Sequence, residues 1–238
     1  MKKSLITIVA IAIISLINDV SAQSVDEVLA KHFNAVGQDK LAAVESFYIK
    51  ASVSQMGMEM PMEMKIKKPE KFIINFEIQD QTMIQAFDGE KGWMIIPMMS
   101  PDPQEMAGAQ LTQAREQVNM EGELYNYEKK GSTADLGGKV NVDGKECFRI
   151  KLTTKDENVK DYFIDANTYL VTKVKSKVSA QGQTVDVEQI MSDYKTIDGI
   201  TMAMKIESKS PMGTALIIME DIKFNEEFDD AIFKQPAK

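Results

Sequence analysis

Three residue types that build many functional sites are nearly missing from this chain of 238 residues, which has one cysteine, one histidine and one tryptophan. A single cysteine, Cys147, excludes a disulfide within one molecule, so the folded state must be stabilised by a hydrophobic core. The only histidine, His32, lies among apolar neighbours in a predicted helix, which favours a packed residue over a general base. The sequence also has no zinc-type spacing, phosphate-binding glycine loop or EF-hand loop. No catalytic residue, metal site or cofactor is predicted, and the protein is not expected to be an enzyme.

Long apolar runs are equally scarce, and the one that stands out lies at the N-terminus. Two lysines precede an apolar stretch over residues 5–17, and a cleavage site made of small residues ends at Ala22. This pattern predicts a secretory signal peptide over residues 1–22, cleaved after Ala22. Residues 23–238 are then expected to form a single exported domain.

Positive charge is scarcer than negative charge, and the formal net charge is −8 at pH 7. A surface of this sign is a poor partner for nucleic acid and for anionic lipid headgroups, because like charges repel. No nucleic acid partner is therefore predicted.

The sequence does contain one amphipathic helix followed by many short strand-like runs. Ser24 and Glu27 fit a capping box, and apolar residues recur at helical spacing until Gly37, which predicts the first helix. Alternating apolar and polar residues then predict strands joined by connections too short for crossover helices. The predicted fold class is mainly β (α+β), with an antiparallel sheet. The predicted strands cover residues 47–54, 58–67, 72–78, 82–87, 93–97, 125–129, 140–142, 147–154, 159–164, 170–178, 184–191, 200–208 and 214–224.

Methionine is abundant, with 17 residues, and five of them occupy every second position in the run QMGMEMPMEM. This period predicts that Met56, Met58, Met60, Met62 and Met64 project to one face of a strand. Methionine is unbranched and polarizable, so a wall built from it suits a pocket for flexible apolar chains. An ordinary core strand in a methionine-rich protein explains the pattern equally well. Because thioethers are soft ligands, Cu(I) binding is a third and less favoured interpretation.

A second notable segment follows the first five predicted strands. Pro97, Pro101 and Pro103 interrupt the strand pattern, and Asp102 is placed to cap a helix with Pro103 at its first position. The predicted helix covers residues 104–118, and its apolar stripe is thin, which is typical of a surface helix that covers something loosely. The segment is predicted to be a lid or, equally, a plain surface helix between two strands.

The order of these elements resembles that of a known family. The chain has the exported helix, a hairpin with FDGEKGW, the helical insert, VDGKECFRIKL, YFIDANTYLVTKVKSK, DYKTIDGITMAMKIE and a final FNEEFDDAIFKQP. Over nearly all of residues 24–236 this order resembles the LolA-like outer-membrane lipoprotein carrier superfamily, and particularly the periplasmic lipoprotein-sorting proteins.

The resemblance implies an incomplete antiparallel β-barrel whose concave side is covered by the N-terminal helix and by the helical lid insert. It also implies a periplasmic, non-enzymatic carrier or binder of lipoprotein acyl chains or related lipids, with a transient membrane-protein donor or acceptor. The residues expected to line the lipid cavity are Phe47, Ile49, Met58, Met60, Met62, Met64, Phe72, Ile74, Phe76 and Trp93. The residues expected on the lid are Met106, Leu111, Ala114, Arg115 and Val118.

The sequence departs from the family in its arginines. The better-known carriers hold the lid shut with an arginine inside the cavity, whereas this chain has only Arg115, on the predicted lid, and Arg149, on a later strand. The resemblance therefore does not identify the latch. The alternative function is a sensor module, in which the same fold detects lipid or mislocalised lipoprotein and reports to a membrane protein.

Overall fold

The computed structural model describes residues 23–180 and 183–236, so the predicted signal peptide and its cleavage site lie outside the described residues. Three α-helices and thirteen β-strands are present within these ranges, and a short 3₁₀ turn at Asp230–Phe233 follows the last strand. Among the described residues, no helix has both the length and the apolar character needed to cross a bilayer. The elements in chain order are α1 (Val25–Val36), α2 (Gln38–Ala43), β1 (Ser46–Gln55), β2 (Met58–Lys67), β3 (Lys71–Ile78), β4 (Gln81–Phe87), β5 (Gly92–Ile96), β6 (Ser100–Met106), α3 (Gly108–Gln117), β7 (Thr133–Val142), β8 (Lys145–Thr153), β9 (Val159–Asp165), β10 (Val171–Ala180), β11 (Gln183–Ile197), β12 (Ile200–Ser210) and β13 (Gly213–Phe224).

All thirteen strands form one antiparallel sheet in the order β6-β5-β4-β3-β2-β1-β13-β12-β11-β10-β9-β8-β7. Every neighbour in this order except the β1–β13 pair is also a neighbour in sequence, as expected for a meander with short turns. The two outer strands, β6 and β7, stay at opposite edges, so the sheet is an open half-barrel. The predicted mainly β fold and incomplete antiparallel barrel are confirmed.

The apolar side chains of one sheet face form two separate cores. The first core lies on β1 to β6, β12 and β13, and Leu41 of α2 and Ala114 of α3 pack into it. The second core lies on β8 and β9, where Val28 and Leu29 of α1 are buried. The buried members of the first core are Leu41, Val44, Phe47, Ile49, Ala51, Met62, Ile66, Phe72, Ile74, Phe87, Met94, Met106, Ala114, Ile200, Met204 and Ile222. The buried members of the second core are Val28, Leu29, Leu124, Phe148, Ile150, Leu152 and Ile164.

The N-terminal helices form as the capping signals predict. The Ser24 side chain accepts a hydrogen bond of 3.2 Å from the backbone N–H of Glu27, and Gly37 ends α1 in the left-handed region at φ 72°. A Cβ on Gly37 would lie 2.1 Å from the carbonyl oxygen of Gly199 in the β11–β12 turn. Only glycine therefore lets the α1–α2 corner approach the sheet this closely.

Two sequence predictions about secondary structure are wrong. Residues 100–106 form strand β6 instead of entering a helix at Asp102, and α3 begins only at Gly108. Prolines 101 and 103 fit this strand because β6 is an edge strand, and its register with β5 shifts between Met94 and Ile96, opposite the prolines. Residues 125–129, predicted as a strand, form turns, with a hydrogen bond from the N–H of Lys130 to the carbonyl of Asn126.

Candidate functional site

On the concave face, the burial of the side chains decreases along the direction of the strands, from one end of the strands to the other. At the end near α2, directly opposed residues form a row that we call the base row, and its central members are buried. At the other end a second row, which we call the mouth row, runs over five strands, and every member is only half-buried. The base row consists of Phe224, Phe47, Ile66, Phe72 and Phe87. The mouth row consists of Met191, Ile206, Ile217, Val53 and Met60.

Two further rows connect these ends, and they contain two of the four methionines of β2. Ile49, Met64 and Ile74 are opposed next to the base row, and Ala51, Met62 and Phe76 are opposed next to the mouth row. Paired residues in a sheet point to the same face, so the register places nine predicted cavity residues on one continuous surface. These nine are Phe47, Ile49, Met58, Met60, Met62, Met64, Phe72, Ile74 and Phe76. Their binding of lipid stays a prediction.

The tenth predicted cavity residue, Trp93, is on the other face of the sheet. It pairs with Ala86, whereas its neighbour Met94 pairs with Gln85 and belongs to the first core. The indole N–H of Trp93 donates a hydrogen bond of 2.8 Å to the carbonyl of Phe233, and the ring is 2% exposed. Trp93 therefore fixes the C-terminal 3₁₀ turn against the convex face, and the cavity assignment for it is wrong.

The methionine run is interrupted at its first member. Met56 and Gly57 form the β1–β2 turn with φ values of 52° and 78°, and the Met56 side chain is 80% exposed. The strand period therefore starts at Met58, and the prediction that Met56 shares the face is wrong. Exposure then falls along β2, from 48% at Met58 to 7% at Met62.

Only one of the five mouth-row residues, Met60, was predicted to line the cavity. Met191, Ile206 and Ile217 come from β11, β12 and β13, and they join Met60 only because β13 pairs with β1. Their own strands show the alternation of half-buried strands, but no local signal indicates that β13 lies beside β1. A long-range pairing had to be known before these residues could be assigned to the same surface as the β2 methionines.

Helix α3 covers the base end of this face. The amide of Gln110 donates a hydrogen bond of 3.5 Å to the sulfur of Met94, and a Cβ on Gly92 would lie 2.6 Å from the Cδ1 atom of Leu111. Leu111, Ala114 and Val118 pack against the first core. Met106, predicted on the lid, is instead a buried residue of β6 that pairs with Gly92 and extends the base row.

The two arginines have different roles. Arg115 of α3 forms an ion pair with Glu70 in the β2–β3 turn, and its guanidinium carbon lies 5.2 Å from the ring centre of Phe87. Arg149 binds Asp161 through two hydrogen bonds of 2.9 Å, and the pairing of Arg149 with Phe163 places it away from the second core. Arg115 is therefore the arginine that connects the predicted lid to the sheet.

Helix α1 is attached to the second core partly by polar contacts. The Nδ1 atom of His32 lies 2.8 Å from the carbonyl of Tyr169, and the ammonium of Lys31 lies 3.2 Å from the Tyr169 hydroxyl. Burial lowers the pKa of His32, and the hydrogen bond to Tyr169 only partly opposes that shift. His32 is thus a packed residue that donates to the backbone.

Charged and polar sites do not coincide with the apolar rows. A pocket of about 680 Å³ lies at the ends of β9 to β12, but Lys175, Lys177, Asp186 and Glu188 contribute to its lining. Among the described residues, no group of three or more His, Cys, Asp or Glu side chains is arranged to hold a metal ion. The concave face between the base row and the mouth row, which we call the cleft, is therefore the candidate site.

Comparison with solved structures shows the same fold in other bacterial proteins. A DUF1329 family protein from Desulfovibrio piger is 17% identical with a TM-score of 0.61, and the match covers 87% of this chain and 97% of that one. A LolA superfamily protein from Nitrosomonas europaea is 13% identical with a TM-score of 0.59, covering 89% of this chain and 97% of that one. A proposed outer membrane lipoprotein-sorting protein domain from Vibrio parahaemolyticus is 13% identical with a TM-score of 0.56, covering 84% and 95%.

Sequence comparison gives a more limited result. No curated protein matches the chain. A family model with the description "Uncharacterized protein" matches residues 86–237, which is more than half of the chain. The solved structures show that the protein has a LolA-like fold, and the match to this model shows that it belongs to the family that the model defines.

Proposed function

We propose that the protein is a non-enzymatic carrier or binder of lipoprotein acyl chains or related lipids in the periplasm, with the cleft as its binding site. The observation that carries the proposal is the gradient of burial along the concave face. The base row is closed by α2 and α3, whereas the mouth row keeps five apolar side chains half-buried on five adjacent strands. A surface of this kind is typical of a site that an apolar ligand completes.

The chemistry of the cleft suits hydrocarbon chains better than a rigid ligand. Each methylene moved from water into an apolar site contributes about 0.8 kcal/mol, so a sixteen-carbon chain gains on the order of 12 kcal/mol before ordering costs. Met60, Met62 and Met64 present flexible thioether side chains that repack around chains of different shape. We therefore expect broad binding of acyl chains rather than selection of one chain length.

The helix α3 supplies a cover that opens at a modest free-energy cost. Its described apolar contacts come from Leu111 and Ala114, with Val118 directly after the helix, and Arg115 forms an ion pair with the exposed Glu70. Exposed ion pairs contribute only about 0–1 kcal/mol, so such a helix can move without unfolding the sheet. A carrier needs this property because the bound chain must be released to an acceptor, which we expect to be a membrane protein in transient contact.

The location and extent of the proposed carrier follow from the same evidence. The predicted signal peptide over residues 1–22 supports export, and the LolA-like fold supports a place in the cell envelope. Because both cores lie on one continuous sheet, we propose that residues 23–238 form a single domain. We expect thermal unfolding to occur in one transition when it is monitored by both circular dichroism and Trp93 fluorescence.

Native mass spectrometry of gently purified protein tests the proposed ligand. We expect peaks heavier than the chain by the mass of a lipid, and displacement of that lipid by a fluorescent fatty acid. Protein that is repeatedly empty and that does not bind the fatty acid would rule out the lipid function. Stable recovery of one membrane protein in a pull-down would favour the sensor alternative, because a carrier makes only brief contacts with its partners.

A further inference from the structure

The most exposed methionines of the described chain occupy the tips of hairpins. Met56 is 80% exposed in the β1–β2 turn, and Met212 is 63% exposed in the β12–β13 turn. Met98 and Met99 are 73% and 74% exposed in the β5–β6 turn. We call these four residues the methionine rim.

The three turns lie at the same end of the sheet, which is also the open end of the cleft. Gln55 is opposite Met58 across the β1–β2 turn and opposite Ala215 at the start of β13, so the β1–β2 and β12–β13 turns are adjacent. In an antiparallel meander, the turns after β1, β3 and β5 share one end. The mouth row, with Val53 and Met60, lies three residue positions from the Met56–Gly57 tip of the β1–β2 turn.

Charge is absent from the segments that carry the rim. No charged residue occurs in residues 51–58, 92–101 or 210–219, although charged residues make up 27% of the chain. The turns at the opposite end of the same strands contain Glu70, Asp88 and Asp198. Two other turns at the rim end do carry charge, with Asp80 after β3, between the β1–β2 and β5–β6 turns, and residues 155–157 after β8. The uncharged rim is therefore limited to the three turns that carry the exposed methionines.

We infer that the methionine rim docks the protein on the surface of a lipid bilayer, with the four side chains inserted between the headgroups of zwitterionic lipids. This inference rests on the proposed lipid-carrier function. Exposed apolar side chains gain free energy by leaving water, whereas a charge in the same place would oppose insertion. Docking by the rim places the mouth row against the bilayer, so an acyl chain enters the cleft without crossing water.

A bilayer fits the rim better than a protein partner does. The rim consists of separate turn tips without aromatic anchors or charges to pair, whereas protein interfaces are centred on contiguous Trp, Tyr and Arg residues. A fluid surface accepts separate insertions without a complementary pocket. The net charge of −8 disfavours anionic lipids and leaves zwitterionic phosphatidylcholine or phosphatidylethanolamine surfaces as the fitting class.

Vesicle flotation tests the inference on the purified protein. Phosphatidylcholine vesicles are mixed with the unmodified protein, with the triple variant Met56→Ser, Met98→Ser, Met212→Ser, and with a control variant Ile218→Ser, Ile232→Ser. Ile218 and Ile232 are 42% and 36% exposed and lie outside the rim. We expect the triple variant to lose about tenfold or more in vesicle partitioning, which corresponds to about 1.4 kcal/mol. The control variant should stay within about twofold of the unmodified protein.

Uptake of a monomeric fluorescent fatty acid, measured without vesicles, separates this inference from the proposed function. Retained uptake with lost flotation in the triple variant supports both. Vesicle binding by a protein that takes up no fatty acid would remove the carrier function and keep the rim as a docking surface. Fatty acid uptake without any vesicle binding would overturn the inference and indicate a protein partner for the rim. Equal losses in the triple and control variants would also overturn it, and circular dichroism checks that every variant is folded.

Discussion

The two cores of the one sheet are built from different residues. The second core, under α1, contains no methionine among the described residues, and its buried members are all branched or aromatic side chains. The first core, under α2 and α3, includes many methionines, several of them only partly buried. These methionines are Met62, Met64, Met94, Met106, Met120, Met202, Met204 and Met219. Stiff side chains pack to a single arrangement, whereas methionine fills irregular space, so the same fold combines a fixed half with an adaptable half.

The helices that cover the two cores differ in the same way. Val28 and Leu29 of α1 are 0% and 2% exposed, and His32 and Lys31 add polar contacts to Tyr169. Among the described side chains of α3, Ala114 is buried and Leu111 is partly buried, and Val118, directly after the helix, is also partly buried. We therefore interpret α1 as a permanent part of the fold and α3 as the movable cover.

The largest expected effect is a loss of stability from a substitution in the second core, compared with a substitution in the mouth row. Ile150 is 0% exposed in the second core, so Ile150→Ala leaves a cavity and should lower the free energy of unfolding by about 2–5 kcal/mol. Met60→Ala, in the half-buried mouth row, leaves no closed cavity and should cost less than about 1 kcal/mol. Urea unfolding of both variants measures the difference. Equal losses would contradict the distinction between a fixed and an adaptable half.

A somewhat smaller loss is expected at Gly37, the corner between α1 and α2. Gly37→Ala puts a Cβ at φ 72° and 2.1 Å from the Gly199 carbonyl oxygen, so the chain must strain or move. We expect a loss of about 2 kcal/mol in urea unfolding, because a left-handed backbone alone costs a residue with a Cβ about 1–2 kcal/mol. Gly57→Ala is the matched control, because Gly57 also has positive φ but has open space around it. If both variants lose the same free energy of unfolding, the close contact of Gly37 with the β11–β12 turn does not contribute to stability.

The pH dependence of stability should originate in the second core. Burial lowers the pKa of His32 below its ordinary value of 6.5, so the unfolded chain binds a proton more readily than the folded protein. Stability is then fully present above pH 6.5 and is lost as the pH falls through the folded pKa. His32→Asn should flatten the loss of stability below pH 6.5 in unfolding measured by circular dichroism. An unchanged slope in the variant would show that another group controls this pH range.

The smallest effect on stability is expected at the Arg115–Glu70 ion pair, which we interpret as the latch of the cover. Its loss should be visible in the rate at which a bound fatty acid is released. Arg115→Gln removes the ion pair with Glu70 and the contact with Phe87, and because both charged side chains are exposed, the loss should be less than about 1 kcal/mol. We expect a fluorescent fatty acid to dissociate about two- to fivefold faster in stopped-flow experiments. Arg149→Gln breaks the ion pair with Asp161, which is also partly exposed and lies on the other half of the sheet, and should leave the rate unchanged. Equal acceleration in both variants would exclude a latch at Arg115.

The sequence predicted the helices and strands themselves better than it predicted how the strands are placed and paired in the sheet. The N-cap at Ser24 and the strand over residues 58–67 agree with the structure because their signals are local. Trp93 was assigned to the wrong face because WMII in β5 is apolar at every position, so only pairing with Ala86 defines its direction. Strand β6 was missed because its prolines are acceptable only at a sheet edge, and edge position is a property of the whole sheet.

The candidate site shows the same division between local and long-range information. Period-two spacing placed Met58, Met60, Met62 and Met64 on a common face, as the register confirms. Met191, Ile206 and Ile217 complete the mouth row through the pairing of β1 with β13, which joins residues about as far apart in the chain as the fold allows. No periodic pattern contains that information, so the width of the cleft was not predictable from the sequence.

Two adjacent residues on β13 allow the most direct test of the cleft. Ile217 faces the cleft in the mouth row, whereas Ile218 faces the opposite side and is 42% exposed. A glutamate at either position adds the same charge to the same strand, but only Ile217→Glu places it where an acyl chain would lie. Fluorescent fatty acid titration should give a Kd that is weaker by about tenfold or more for Ile217→Glu and nearly unchanged for Ile218→Glu. Equal affinities for the two variants would contradict the account, because lipid would then bind elsewhere or not at all.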